Sequence, residues 1–182
     1  MPKFFQYLFI LACHVVVGQI KSSGQPVIKN FLKSEYRGGT QTWAIAQAAN
    51  GTLFMANNAG LLEFDGSYWH TYSLPDNTSM RALAISNDTI FIGGYDEFGY
   101  FHTVPDGKYT YTSLSDFLSK EEKSAIDNIW KIHNVKGQIV FQSFDKNYIF
   151  RKNALKTEEA PGKFQFSFNV GNRLIIQDIK NG

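Results

Sequence analysis

The sequence has almost no cysteine, and this scarcity excludes several classes of function. Its only cysteine, Cys13, lies in an apolar N-terminal run, so the rest of the chain has no thiol for a disulfide framework or a nucleophile. An excess of one charge is also missing. The 18 basic and 16 acidic residues are mixed, without a basic stripe of the kind that binds nucleic acid. We therefore predict no nucleic-acid partner for this segment.

Catalytic and cofactor-binding motifs are absent as well. The sequence contains no Gly-x-Ser-x-Gly, no phosphate-binding loop and no dinucleotide fingerprint. His70, His102 and His133 are scattered and do not have the spacing of metal ligands. We predict that this segment has no catalytic residue, no metal and no cofactor, and that it is not an enzyme.

Residues 1–18 have the order of a secretory signal peptide. Lys3 precedes the apolar run 4–17, which is short for a membrane span, and Val16 and Gly18 occupy the positions of a cleavage site. One alternative makes Cys13 the lipidated residue of a lipoprotein, and another makes the run a buried core element. The first interpretation predicts an exported protein whose residues 19–40 lead into the folded domain.

Aromatic residues are abundant, and the chain repeats itself. Phe, Tyr and Trp make up 15% of the sequence, which favours strands. Four copies share one order of apolar segment, turn, strand and a further apolar segment. They are Gln41–Phe64, Met80–Thr103, Asp127–Phe150 and a shorter copy that begins at Phe164.

The copies recur at intervals of about 40 residues, the length of a four-stranded propeller blade. We predict an all-β fold, a partial β-propeller of about three and a half blades from a ring of about seven. The predicted blades span 41–76, 77–113, 127–160 and 164–182, the last incomplete. Leu114–Asp127 is predicted as a short amphipathic helical insertion, with Ser115 as its cap. We expect the chain to be an N-terminal fragment of a longer protein.

Residues 39–69 resemble the first blade of the two-component-regulator propeller repeat family. The matching positions are Trp43, Ile45, Gln47, Gly51, Phe54, Ala56, Asn57, Gly60, Leu61, Asp65, Gly66 and Trp69. The later copies match less well, since two extra residues precede Gly99 and Asn147 stands where the family has glycine.

The resemblance implies the periplasmic part of a sensor at the inner membrane of a Gram-negative bacterium. In such proteins further blades, a small β-sandwich and a membrane helix follow, with a histidine kinase or a LuxR-type DNA-binding output and possible homodimerisation. We accordingly predict an exported ligand-sensing segment of a signal-transduction or transcription regulator that responds to an oligosaccharide. The alternatives are a propeller lyase or hydrolase and a non-catalytic interaction scaffold.

Five residues are candidates for ligand binding: Trp43, Asn57, Asp96, Glu97 and Trp130. The two tryptophans occupy equivalent repeat positions, which suits either packing between blades or stacking on a sugar ring. Adjacent carboxylates point in different directions when extended, so Asp96 and Glu97 are a poor acid and base pair. Turn or repeat roles are predicted for Gly51, Gly60, Asp65, Gly66, Trp69, Gly99 and Gly137, with Asp65-Gly66 as a two-residue hairpin.

Overall fold

The computed structural model describes residues 24, 28–105 and 107–180. The predicted signal peptide, residues 1–18, lies outside the described residues, as does much of the lead-in segment. All the elements below belong to the unit that begins at Phe31.

Three four-stranded antiparallel sheets follow one another along the chain, and each is a simple meander. Blade 1 contains β1 (Thr42–Gln47), β2 (Leu53–Asn57), β3 (Gly60–Phe64) and β4 (Trp69–Tyr72). Blade 2 contains β5 (Met80–Ser86), β6 (Thr89–Gly94), β7 (Phe98–Thr103) and β8 (Tyr109–Ser113). Blade 3 contains β9 (Lys131–Val135), β10 (Gln138–Gln142), β11 (Lys146–Arg151) and β12 (Ala154–Glu159). Blade 4 has two strands, β13 (Phe164–Val170) and β14 (Arg173–Asp178). The prediction of an all-β partial propeller is confirmed.

The helical elements are short. They are α1 (Lys33–Tyr36), α2 (Lys120–Lys123) and the 3-10 turns Pro75–Asn77 and Ser115–Phe117. The predicted insertion is therefore helical, but in two pieces. The predicted cap is wrong, because Ser119 caps α2 and accepts a hydrogen bond from the backbone of Glu122.

None of the helices in the described part of the chain has the length and apolar character needed to cross a membrane.

Two apolar cores fill the spaces between successive blades. Strand side chains alternate between faces, so each blade has one apolar face toward the preceding blade and one toward the next. The core between blades 1 and 2 contains Phe54, Ala56, Leu61, Leu74, Met80, Ile90, Ile92 and Phe101. The core between blades 2 and 3 contains Ala82, Phe91, Phe98, Leu114, Ile126, Ile129, Ile132, Ile139, Phe141 and Tyr148.

The junction of blades 3 and 4 is different, because buried polar side chains concentrate there. Gln142 and Asn147 are opposite one another on β10 and β11, where blade 1 has Ala56 and Leu61. Both amides are buried, and their side-chain oxygens have no hydrogen-bond partner in the described chain. Ser167 is also buried here, with its hydroxyl 2.7 Å from His133 Nε2. Buried amide and hydroxyl side chains thus occupy this junction, whereas the buried clusters between the other blades are apolar.

Lowering the pH is expected to weaken this junction through His133, whose Nε2 lies 2.7 Å from the Ser167 hydroxyl. Burial lowers the pKa of His133, and the charge of Lys131 lowers it further. The unfolded imidazole, with a pKa of about 6.5, therefore binds a proton more readily than the folded one. Stability that depends on the neutral ring is present above that pH and is lost as the pH falls toward the folded-state pKa.

Thermal melts between about pH 7.5 and 5.5 measure this effect, a range that spans histidine titration. We expect the melting temperature of the wild type to fall more steeply than that of His133→Gln. His70→Gln, at an exposed position on β4, is the matched control. A wild-type profile that runs parallel to that of His133→Gln would contradict the prediction.

Several turns depend on backbone that favours glycine or asparagine. Gly60 has φ +131°, and a Cβ there would lie 2.3 Å from the Tyr72 carbonyl oxygen, so only glycine fits. The Asp65-Gly66 hairpin has a four-residue loop rather than the predicted two-residue one. Its Asp65 carboxylate accepts hydrogen bonds from the backbone of Ser67 and Tyr68. Gly51 and Gly137 lie in turns with positive φ, whereas Gly99 lies within β7.

Trp69 anchors the segment that precedes blade 1. Its ring stacks on Phe64 at 4.6 Å between centroids and meets Phe31 at 5.3 Å and Tyr36 at 5.8 Å. Since Tyr36 belongs to α1, this aromatic group fixes α1 against the outer strand of blade 1.

Candidate functional site

The first strand of each blade lies on the inside of the ring. The strands β1, β5 and β9 contact one another in succession, and β9 contacts β13. The inner strands all begin at one end of the ring. Because neighbouring strands are antiparallel, the turns between the second and third strands lie at that same end. We call this end the mouth.

One position at the start of each inner strand is equivalent in the first three blades. In blade 1 the β1–β2 register shifts between Thr42 and Ala44, which leaves Trp43 out of the ladder. Blade 2 has the same shift around Arg81. In blade 3 the matching position is Trp130, directly before β9. A bulge re-aims a side chain, so the backbone places these three residues at the mouth.

Their side chains meet. The indole rings of Trp43 and Trp130 are 6.1 Å apart between centroids and nearly perpendicular, although they come from blades 1 and 3. The Arg81 guanidinium lies 4.3 Å from the centre of the Trp43 ring. Asn58 Oδ1 accepts hydrogen bonds of 2.8 Å from both Trp43 Nε1 and Arg81 Nη1. We call Trp43, Asn58, Arg81 and Trp130 the mouth cluster.

The turns between second and third strands add a second set of equivalent residues. Asn58 begins the turn of blade 1, Tyr95 that of blade 2 and Phe144 that of blade 3. The Phe144 ring lies 5.5 Å from Trp130, and Tyr95 is 52% exposed. Phe144 therefore extends the aromatic surface of the cluster, and Tyr95 adds an exposed ring at the same end of blade 2.

Asn57 lies at the same end but is engaged within the chain. It is fully buried, and its Oδ1 accepts hydrogen bonds from the backbone N–H groups of Gly39 and Ala59. Its Nδ2 donates to the Gly39 carbonyl and the Thr42 hydroxyl. This amide joins the lead-in segment to blade 1.

Glu97 is likewise buried, with 5% exposure. Its Oε1 accepts hydrogen bonds from Tyr111 and Ser113 at 2.8 Å, and Ser115 lies 3.0 Å from both of its oxygens. Lys123 Nζ is 3.4 Å from Oε2. Burial raises the pKa of Tyr111, and the Glu97 charge raises it further. Glu97 thus holds the helical insertion against blade 2.

Asp96 precedes Glu97 in the sequence but interacts with a different part of the chain, the backbone of Asp127. It has φ 52° and exchanges hydrogen bonds with the backbone of Asp127, accepting through Oδ1 at 3.1 Å and donating its own N–H at 2.9 Å. It borders a cleft of about 480 Å³ at the rim of blade 2. The other side chains of this cleft include Pro75, Asp76, Thr78, Tyr95, Ser113, Asp116, Lys120, Lys123 and Ser124.

The described residues contain no group of three or more His, Cys, Asp or Glu side chains placed to hold a metal ion.

The two tryptophans proposed from the sequence belong to the mouth cluster, whereas the sequence pattern indicated only a turn role for Asn58 and gave no sign of Arg81. Starting the copies at Gln41 and Met80 places Trp43 opposite Ala82, one residue away from its structural equivalent, Arg81. Shifting the second copy by one residue aligns Arg81 with Trp43, and this alignment would have identified Arg81 from the sequence.

No protein-family model matches the chain, and no curated protein matches it. Two solved structures from B. thetaiotaomicron resemble it. One is an extracellular domain assigned to a hybrid two-component system, with a TM-score of 0.58 and 15% identity over 86% of this chain. The other is an extracellular domain assigned to a one-component system, with a TM-score of 0.53 and 11% identity over 77% of this chain.

The chain spans 22% and 19% of the length of these two solved chains. Both alignments run across most of the present chain, so the likeness concerns the succession of blades rather than one sheet. The chain thus has the fold found in extracellular domains of these bacterial one-component and two-component systems.

Proposed function

We propose that this chain is part of the exported sensor domain of a membrane signalling protein, and that it binds a carbohydrate at the mouth cluster. The fold likeness supports the sensor role. The single observation that carries the binding site is the meeting of Trp43 and Trp130, from two different blades, beside hydrogen-bonding groups. In this proposal the domain lies on the periplasmic side of the inner membrane.

The chemistry of the cluster suits a sugar ring. An indole offers a flat apolar surface to one face of the ring, while an amide and a guanidinium can reach hydroxyl groups at its edge. Trp43 is 42% exposed, and Asn58 and Arg81 are half-buried, so the cluster is accessible from the mouth.

Binding at this place touches three blades at once. A ligand that contacts Trp43, Arg81 and Trp130 favours the arrangement in which blades 1, 2 and 3 hold these side chains together. It can shift an equilibrium only by its difference in affinity for the two arrangements. We propose that the remainder of the protein passes this shift, through dimer geometry and a membrane helix, to a kinase or DNA-binding output.

Truncating either tryptophan is expected to weaken oligosaccharide binding at least about tenfold, because loss of a central aromatic contact typically costs 1–2 kcal/mol or more. The variants are Trp43→Ala and Trp130→Ala, measured by isothermal titration calorimetry with neutral and acidic oligosaccharides. Tyr68→Ala is the matched control. Tyr68 is 70% exposed on the β3–β4 loop, at the opposite end of blade 1.

Three results would overturn parts of this proposal. Binding that survives both tryptophan truncations would place the site elsewhere. Oligosaccharide cleavage during the incubation would favour the enzyme alternative over a sensor. Failure of every oligosaccharide to bind the wild type would favour the scaffold alternative.

A further inference from the structure

Arg81 is the one cation of the mouth cluster, and most of its N–H groups have no hydrogen-bond partner among the described residues. A guanidinium has five N–H donors, and within that part of the chain the Arg81 guanidinium donates one hydrogen bond, from Nη1 to Asn58. Its guanidinium carbon lies 4.3 Å from the centre of the Trp43 ring. This cation–π contact holds the guanidinium beside the indole, where its remaining N–H groups can bind a ligand.

In the described part of the chain, no carboxylate lies within ion-pair distance of Arg81. Four lysines of the described chain do have a carboxylate oxygen at 2.7 to 3.7 Å, namely Lys123, Lys146, Lys156 and Lys163. These are surface pairs of small energetic value. The Arg81 guanidinium has no such carboxylate partner and is therefore not neutralised by an ion pair within the described chain.

The inner strands as a group have positive charge only. Along β1, β5, β9 and β13, all of which are described, the sequence contains no Asp or Glu. Their charged residues are Arg81 and Lys131, and Lys131 directly follows Trp130. A concave surface lined by one sign of charge attracts ligands of the opposite sign.

We propose that the ligand of the mouth cluster is an anionic sugar, whose carboxylate or sulfate group is bound by the Arg81 guanidinium. This inference rests on the proposed function and makes its ligand class specific. The planar fork of a guanidinium matches two oxygens of a carboxylate or sulfate. The indole rings of Trp43 and Trp130 then contact the sugar ring that carries the anionic group.

The test compares three trisaccharides by calorimetry: a uronic-acid trisaccharide, its methyl ester and a sulfated trisaccharide of the same linkage. We expect the wild type to bind an acidic form at least about tenfold more tightly than the ester, as charge-assisted hydrogen bonds require. The two acidic probes separate a carboxylate ligand from a sulfate ligand. Added salt is expected to weaken acid binding more than ester binding.

Substitutions test whether Arg81 is responsible for the preference for the acidic sugar over its ester. Arg81→Gln is expected to reduce the affinity for the acid to that for the ester, and Arg81→Lys to give an intermediate value because it keeps charge without the fork. Arg151→Gln changes an exposed arginine at the end of β11 and should leave both affinities unchanged. Melting temperatures of all variants show whether they fold.

Each outcome is decisive. Equal affinity of the wild type for acid and ester would overturn this inference and leave the carbohydrate proposal standing. An acid preference that persists in a folded Arg81→Gln protein would also overturn it, since the anion would then bind elsewhere. Absence of binding by all three probes would overturn the proposed function together with this inference.

Discussion

Replacing Glu97 by alanine is expected to destabilise the protein by about 2–4 kcal/mol, the scale for leaving several largely buried hydroxyl groups without their hydrogen-bond acceptor. The substitution leaves the hydroxyls of Tyr111, Ser113 and Ser115 without their shared acceptor. It also leaves Lys123 with Asp116 as its remaining carboxylate partner. Since these residues flank the 3-10 turn and α2, the insertion between blades 2 and 3 should loosen first.

Chemical denaturation followed by tryptophan fluorescence measures this loss. Asp116→Asn is the control, because Asp116 pairs with the same lysine but its side chain is 69% exposed. A surface pair of this kind is worth no more than about 1 kcal/mol. Hydrogen exchange should show faster exchange across 114–126 in Glu97→Ala than in Asp116→Asn. Equal stability of the two variants would mean that Glu97 has no special structural role and would return it to the ligand candidates.

Asn57→Ala is expected to cost about 2–4 kcal/mol, because it removes four hydrogen bonds made by a fully buried amide, each worth roughly 0.5–1.5 kcal/mol. The groups concerned are the N–H and C=O of Gly39, the N–H of Ala59 and the Thr42 hydroxyl. Asn57→Asp keeps one accepting oxygen but buries a charge and sets the other oxygen against the Gly39 carbonyl, so its cost should be at least as large.

Asn50→Ala is the matched control for this second prediction. Asn50 is exposed and accepts one hydrogen bond, from the backbone of Thr52, so its loss should cost no more than about 1 kcal/mol. Urea denaturation ranks the three variants. An Asn57→Ala protein as stable as Asn50→Ala, yet weaker in ligand binding, would contradict the structural role and support direct ligand contact.

The blades were predictable because the sequence features that produce them are local. Alternation of apolar residues specifies strands, a turn signal such as Asn50-Gly51 separates them, and the repeat length matches four strands. The strands of the fourth copy, Phe164–Val170 and Arg173–Asp178, followed from the same pattern. The length of the Asp65 loop was not predictable from the Asp-Gly pair alone, because the Asp65 side chain stabilises a longer turn than that pair usually forms.

The mouth was predictable only in part. Trp43 and Trp130 stand out in the repeats, but their contact depends on ring curvature, which no single copy encodes. The alignment of the repeats placed Arg81 one residue away from Trp43. The offset comes from a β-bulge, which becomes visible only in the pairing with the partner strand. Glu97 resembled a loop residue because its partners Tyr111 and Ser115 come from later in the chain.

The bulges in β1 and β5 also bear on how such proteins diverge. Trp43 and Arg81 take no part in strand pairing, so exchanging either side chain leaves the ladder of its blade intact. Substitutions at such positions change the contacts of the mouth cluster but leave the strand pairing and the apolar cores between blades in place, so most would lower folding stability less than core substitutions do. A gene lineage could therefore acquire a new ligand by one codon change per blade, while the apolar cores stay under separate selection for folding.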